Sequence, residues 1–269
     1  MLGAMGSALI TGASSGIGRE FAWKLAEEYN NLVLVARDKD RLEALAAKIR
    51  NTTGVQVEVL VADLSTEEGA RGVAERLSAS ERPIGLLVNN AGFGMGQDFV
   101  SGELERELEG LNVMVRAVMI TCHAAAKAMK ERGSGGIINV SSMTALTAQG
   151  TYSAHKAWVR TFTEGLAAEL AGSGVHVTAV CPGLVRSEFH SRAGVDANQW
   201  SDRVFASPAA VVEASLKACK RGQVIVTPTV LYKAAAAALR LSPRKLVRYV
   251  AGPARSGRTA GIPSKDDSE

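Results

Sequence analysis

The stretch SALITGASSGIG, residues 7–18, decides how the rest of this chain is read. An apolar run of β-branched and small residues leads straight into Gly12, Gly16 and Gly18, and the helical pattern FAWKLAEE follows. A turn built this way, between a first strand and a first helix, lets a pyrophosphate approach bare backbone and faces it with the helix's N-terminal amides. The spacing G-x-x-x-G-x-G differs from the G-x-G-x-x-G dinucleotide fingerprint, but the physical need is the same. A glycine-rich turn without a ligand would look alike in isolation. Its position directly after the first strand points to a dinucleotide held by Gly12, Ser14, Ser15, Gly16, Ile17 and Gly18.

Outward from that turn the chain alternates two kinds of pattern. Short runs apolar on both faces fall at 7–11, 31–36, 55–62, 84–89, 135–140, 175–180 and 223–227. Between them, apolar residues recur at helical spacing over 17–29, 39–50, 66–79, 103–131, 152–171 and 208–220. Strands buried on both faces and alternating with helices predict an α/β fold: a single-domain, Rossmann-like three-layer sandwich around a doubly wound, mostly seven-stranded parallel sheet. In such sheets ligands bind beyond the carboxyl ends of the strands, where the strand order reverses. No composition break or linker divides the chain. The expected organisation is an extension over 1–6, a catalytic domain over 7–228, a basic helical segment over 229–256 and a disordered tail over 257–269.

Composition limits the function classes. Hydrophobic residues make up 46% and charged residues 22% of 269, which is ordinary for a globular domain. Cys122, Cys181 and Cys219 are far apart and odd in number, suiting neither a disulfide framework nor a zinc site, and a cytoplasmic location is expected. No apolar run approaches the roughly 18–20 residues that span a bilayer, and His123, His176 and His190 have no metal-ligand spacing, so no metal is expected. The net charge of +4 is uneven: residues 229–258 hold seven Lys and Arg with no Asp or Glu. Basic residues confined to one terminal segment, without interleaved aromatics along a groove, argue against a nucleic-acid partner.

The ends of the other strands carry the remaining candidates. The second ends in VLVAR, where an acid would accept from the ribose 2′-OH of NAD; here Ala36 and Arg37 stand instead. A guanidinium binds a 2′-phosphate, so the cofactor expected is NADP(H) rather than NAD(H). After the third strand, Asp63 and Leu64 follow; Asp63 suits either the adenine amino group or a helix cap. After the fourth, Asn89, Asn90, Ala91 and Gly92 suit a tight passage beside a cofactor. Beyond the fifth come a Ser pair and TYSAHKAWV, 151–159, with Tyr152 and Lys156 one helical turn apart.

TGASSGIG, NNAG, LNVMV, NVSS, YSAHK and CPG occur in that order. The set resembles the short-chain dehydrogenase/reductase family over about Ser7 to Thr227, and FAWKLAEE, LVLVARDKDRLEALA, ADLS and VRSEFHSRAG resemble its ketone and 3-oxoacyl reductase branch. The resemblance implies catalytic roles for four residues. Tyr152 is the proton donor, and Lys156 lowers its pKa and holds the nicotinamide ribose. Ser142 bonds the carbonyl, and Asn112 anchors a water in the proton relay. It also sets Pro182, Gly183 and Ser187 beside the nicotinamide. The ten residues from Ser142 to Tyr152 are fewer than is usual in the family, so the loop MTALTAQG should sit tightly over the substrate. His155 falls at a variable position and is expected to be solvated.

The long polar segment 184–207, with Phe189 and Trp200, reads as a substrate lid. The basic segment beyond 229, broken at Pro243, suits an acidic membrane surface, acyl-carrier or CoA phosphates, or plain solvent. The expected function is NADP(H)-dependent hydride transfer to or from a ketone or secondary alcohol, by a homodimer or homotetramer. The alternatives are a non-catalytic NADP(H) sensor and a membrane-surface lipid reductase.

Overall fold

The computed structural model describes residues 6–186 and 199–252. Seven parallel strands form one sheet: β1 (Ser7–Thr11), β2 (Asn31–Ala36), β3 (Gln56–Val61), β4 (Ile84–Asn89), β5 (Gly135–Val140), β6 (Val175–Val180) and β7 (Ile225–Val226). Their order is β3-β2-β1-β4-β5-β6-β7, so the winding reverses between β1 and β4. That is the doubly wound arrangement, and it opens a crevice at the carboxyl ends of those two strands.

Alternation along each strand feeds two cores. Ala8 and Ile10, Leu32 and Leu34, Leu86 and Val88 face the layer of α1 (Gly16–Leu25), α2 (Lys39–Thr53) and α7 (Pro208–Lys220). Leu9, Val33, Val35 and Leu87 face the layer of α3 (Glu67–Ser78), α5 (Ala117–Glu131) and α6 (Thr151–Glu169). These strands are apolar throughout because both faces are covered.

Two elements differ from their sequence reading. The helix predicted over 103–131 is α4 (Leu104–Leu111) joined to α5 by a π-turn at Asn112–Arg116, where Ala117 N donates to Asn112 O. A π-turn inserts one residue and rotates the apolar stripe between the two halves. The strand predicted over 223–227 shrinks to two residues, since only β6 pairs with it; a short edge strand leaves little unpaired backbone. Pro243 does divide the C-terminal segment, into α8 (Val230–Leu241) and α9 (Arg244–Val250). Among the described residues no helix is long and apolar enough to cross a membrane. The tail from 257 and residues 1–5 lie outside the described residues.

Candidate active site

A cavity of about 760 Å³ opens at the crevice, running from the glycine turn past the end of β5 to α8. Gly12, Ser14, Ser15, Gly16 and Ile17 line one end. Ser15 stands at the N-cap of α1 without a side-chain cap bond, and no acid occupies the first turn. The helices α2, α3, α7 and α8 are instead capped by Asp38, Thr66, Ser207 and Thr229. The α1 terminus thus keeps its amides and its positive end of the dipole available to an anion. Gly18 does not line the cavity; a Cβ there would lie 2.2 Å from Gly12 O, so its role is to let helix and turn pack.

Hydrogen bonds across 78–80 residues of sequence hold the turn in place. Thr11 Oγ1 accepts from Asn90 N at 3.0 Å and Ala91 N at 3.1 Å. Asn90 Nδ2 donates to Thr11 O at 3.0 Å and Gly12 O at 3.1 Å. Asn89, by contrast, points into a buried polar network. Its amide donates to Asn139 Oδ1 at 3.0 Å and its carbonyl oxygen accepts from Thr121 at 2.9 Å, while Asn139 Nδ2 donates to Thr163 Oγ1 at 3.0 Å. The network stitches β4 and β5 to α5 and α6.

Arg37, Asp63 and Leu64 line the next part of the cavity, with Asn90, Ala91 and Gly92 opposite. Arg37 Nη1 donates to Glu109 Oε1 at 3.1 Å across the groove. Asp63 caps no helix, since Thr66 caps α3; its carboxylate accepts from Ser65 N at 2.9 Å and Ser65 Oγ at 2.7 Å. Burial pushes its pKa up, but the Ser65 bonds and the Arg37 charge outweigh that and hold it below the ordinary value. The donor set suits a nicotinamide dinucleotide: uncapped helix amides and serines for the pyrophosphate, a guanidinium and a carboxylate at the adenosine end.

The far end holds Ser142, Tyr152, Lys156, Pro182 and Gly183. Gly150 precedes α6, and Tyr152 and Lys156 project from its first turns. Burial pushes the Tyr152 phenol above its usual range, and a hydrogen bond from Ser142 offsets part of that. Burial also lowers the Lys156 ammonium, to about 8. Its Nζ donates to Val140 O at 2.8 Å. Ser142 Oγ accepts from Thr144 N at 3.1 Å, which starts a 3₁₀ turn over Met143–Leu146 and compacts the short loop.

Asn112 is not among the lining residues; it heads the π-turn, one residue before Val113, which is. Ser187 and Phe189 lie outside the described residues, while Trp200 lines the cavity. His155 corrects its sequence reading: it is buried, not solvated. As the fifth residue of α6 it faces inward, and burial lowers its pKa against the opposing charge of Glu107. Glu107 is buried too, accepting from Thr151 Oγ1 and from Gln97 Nε2 at 2.9 Å, and so ties α4 to the first residue of the helix that carries Tyr152.

Sequence reasoning missed the contribution of α8. Tyr232, Ala235 and Leu239 line the cavity from it. The Tyr232 ring packs on the Pro182–Gly183 turn so closely that a Cβ on Gly183 would lie 2.0 Å away. Its hydroxyl donates to Val204 O at 2.9 Å and accepts from Leu184 N at 3.0 Å, joining the two described ends of the 184–207 segment. The apolar spacing of 232, 235 and 239 was a visible signal, masked by the basic residues around it. Among the described residues no group of three or more His, Cys, Asp or Glu side chains comes together as a metal site.

A profile of the short chain dehydrogenase family matches residues 7–198. An uncharacterized oxidoreductase of Staphylococcus saprophyticus is 32% identical over 217 residues, covering 80% of this chain and 91% of that protein. Among solved structures, a short-chain dehydrogenase from Sphingobium yanoikuyae in complex with NADPH is 36% identical, with a TM-score of 0.81 over 87% of this chain and 92% of that one. The bulky-bulky ketone specific alcohol dehydrogenase from Comamonas testosteroni is 30% identical, with a TM-score of 0.76 over 90% of this chain and 96% of that one. Taken with a reversed sheet winding, a glycine turn at the switch point and a Ser-Tyr-Lys cluster on one cavity, these likenesses mean that the chain belongs to the short-chain dehydrogenase/reductase family and is an oxidoreductase.

Proposed function

We propose that the protein is an NADP(H)-dependent reductase and dehydrogenase acting on a ketone or secondary alcohol with an apolar body, 3-oxoacyl and other lipid-like carbonyls included. The observation that carries this reading is the single cavity shared by the glycine turn, Arg37 and the Ser142–Tyr152–Lys156 cluster. A bound nicotinamide dinucleotide supplies or accepts the hydride. The 2′-phosphate of the NADP form would be met by Arg37, and Ala36 stands where an NAD site carries its acid. Pro182 and Gly183 flank the nicotinamide end, with Ser187 as a further hydroxyl donor.

In the reducing direction Ser142 donates to the substrate carbonyl oxygen and keeps that bond as negative charge develops. Tyr152 Oη gives its proton to the same oxygen. Lys156, its Nζ 5.7 Å from the centroid of the Tyr152 ring, is the cation that stabilises the phenolate that remains. Asn112, at the head of the π-turn, takes the part that the family resemblance gives it, anchoring a water in the proton relay. Leu184, Val185, Trp200 and Leu239 supply the apolar wall that favours a bulky, weakly polar substrate.

The enzyme is placed by this reading in the cytoplasm, where three unpaired cysteines are ordinary. It works as a dimer or tetramer through the exposed Leu104, Leu108, Leu111 and Met119 of the α4–α5 face. The test is NADPH oxidation over a panel of ketones, comparing the native protein with Tyr152→Phe. The expected loss is about 10²–10⁴-fold. Full activity in the variant, on any ketone the native protein reduces, would overturn the mechanism.

A further inference from the structure

The outer surface of α8 and α9 has no role in the chemistry above. On α8, Tyr232, Ala235 and Leu239 face the cavity. The opposite side of the helix is also apolar: Val230, Ala234, Ala237 and Leu241 recur at helical spacing and are exposed, Val230 by 81% and Leu241 by 87%. A soluble surface helix normally shows polar residues there. Leu246, Tyr249 and Val250 of α9 extend the exposed apolar surface, Tyr249 by 73%.

Basic side chains accompany this stripe. Lys233 and Arg240 flank it on α8, and Arg244, Lys245 and Arg248 lie on α9. No Asp or Glu occurs between 229 and 258. Among the described residues none of these five cations forms an ion pair with a carboxylate. A second copy of this chain packed face to face would set the same cations against themselves, with no acid on the segment to answer them.

We propose that this face docks on an anionic lipid surface. Apolar side chains enter the boundary between headgroups and acyl chains, and the flanking cations meet lipid phosphates, as an amphipathic helix lying in the interface requires. The same two helices connect the docked face to the active site. Arg244 Nη1 donates to Leu146 O at 3.2 Å and Ala148 N donates to Ala251 O at 3.1 Å, so α9 braces the loop between Ser142 and Tyr152. The docked helices are thus one wall of the cavity and the brace of its substrate loop, whatever the substrate is.

The test is sedimentation of the full chain with vesicles of phosphatidylcholine alone and of phosphatidylcholine with phosphatidylglycerol. The native protein should sediment with the anionic vesicles only, and raised salt should release it. Lys233→Gln/Lys245→Gln should weaken partitioning on the order of thirty-fold, at about fivefold per basic residue. Val230→Ser/Leu241→Ser should weaken it as well, with NADPH binding kept in both variants as evidence of folding. Absence of native binding to anionic vesicles, or binding indifferent to salt, overturns the proposal without recourse to any variant. So does a Val230→Ser/Leu241→Ser protein that loses an oligomer present in the native chain while native vesicle binding is absent, since a second copy would then cover the face.

Discussion

The ammonium of Lys156 lies 5.7 Å from the centroid of the Tyr152 ring while donating to Val140 O at 2.8 Å. It is anchored to β5 and aimed at the phenol from one turn along α6. With its pKa pushed down to about 8 by burial, it is a cation at neutral pH and loses its charge just above.

That position gives a pH prediction. In the proposed mechanism reduction uses the ammonium, so kcat/KM for ketone reduction should fall as pH rises through about 8. Lys156→Arg, slower overall, should keep its charge and lose that falling limb. The stability effect has the opposite direction. The folded pKa lies below the free value of 10.5, so burying the charge costs stability below about pH 8, and the cost fades toward 10.5. Melting curves of native protein against Lys156→Met should move in favour of the native chain over that window. A flat kinetic profile up to pH 10.5 would remove the assigned role.

On the proposed NADP(H) reading, Glu109 competes with the cofactor for Arg37. A 2′-phosphate must draw Arg37 away from Glu109, an exposed pair worth about 0.2–1 kcal/mol. Glu109→Gln should therefore tighten NADPH by roughly 1.5- to 5-fold with little change for NADH. Arg37→Ala should weaken NADPH about 10- to 100-fold, the loss expected for a hydrogen bond to a charged group. Fluorescence titration of both cofactors measures each shift; equal effects on NADH and NADPH would refute the 2′-phosphate assignment.

The buried network around Asn139 makes a stability prediction independent of function. Asn139→Leu leaves the Asn89 amide and the Thr163 hydroxyl without this partner, though Cys122 Sγ, 3.3 Å from Asn89 Nδ2, and Val159 O remain to them. The expected loss is about 2–4 kcal/mol, read from denaturant unfolding. A neutral result would mean that the network relaxes around an apolar side chain.

All three thiols should be inert in the folded protein. Cys122, Cys181 and Cys219 are buried, and burial pushes Cys122 and Cys219 up to about 12. A thiol reagent at neutral pH should modify none until denaturant is added. Rapid labelling of the native chain would show that one of these sites opens.

Much of this protein could be read from local sequence because the signals are local. Short runs apolar on both faces in the strands, a period near four in the helices, and glycines at the end of β1 each depend on residues a few positions apart. The seven strands follow from them, while the places of Ser142, Tyr152 and Lys156 came from the order of motifs that resembles the family. At Gly18 the close packing of turn and helix is itself a demand for glycine, since a Cβ there would lie 2.2 Å from Gly12 O.

What only the tertiary structure decided are pairings between distant segments: Glu109 on Arg37, Asn90 on Thr11, Asn89 on Asn139, and Tyr232 on the chain around Gly183. None has a periodic or compositional signature, because each depends on which faces of two separately folded elements meet. His155 shows the limit most plainly. Its neighbours in sequence suit an exposed helix position, but the packing of α4 against the start of α6 brings Glu107 to that end of the helix and leaves the imidazole buried.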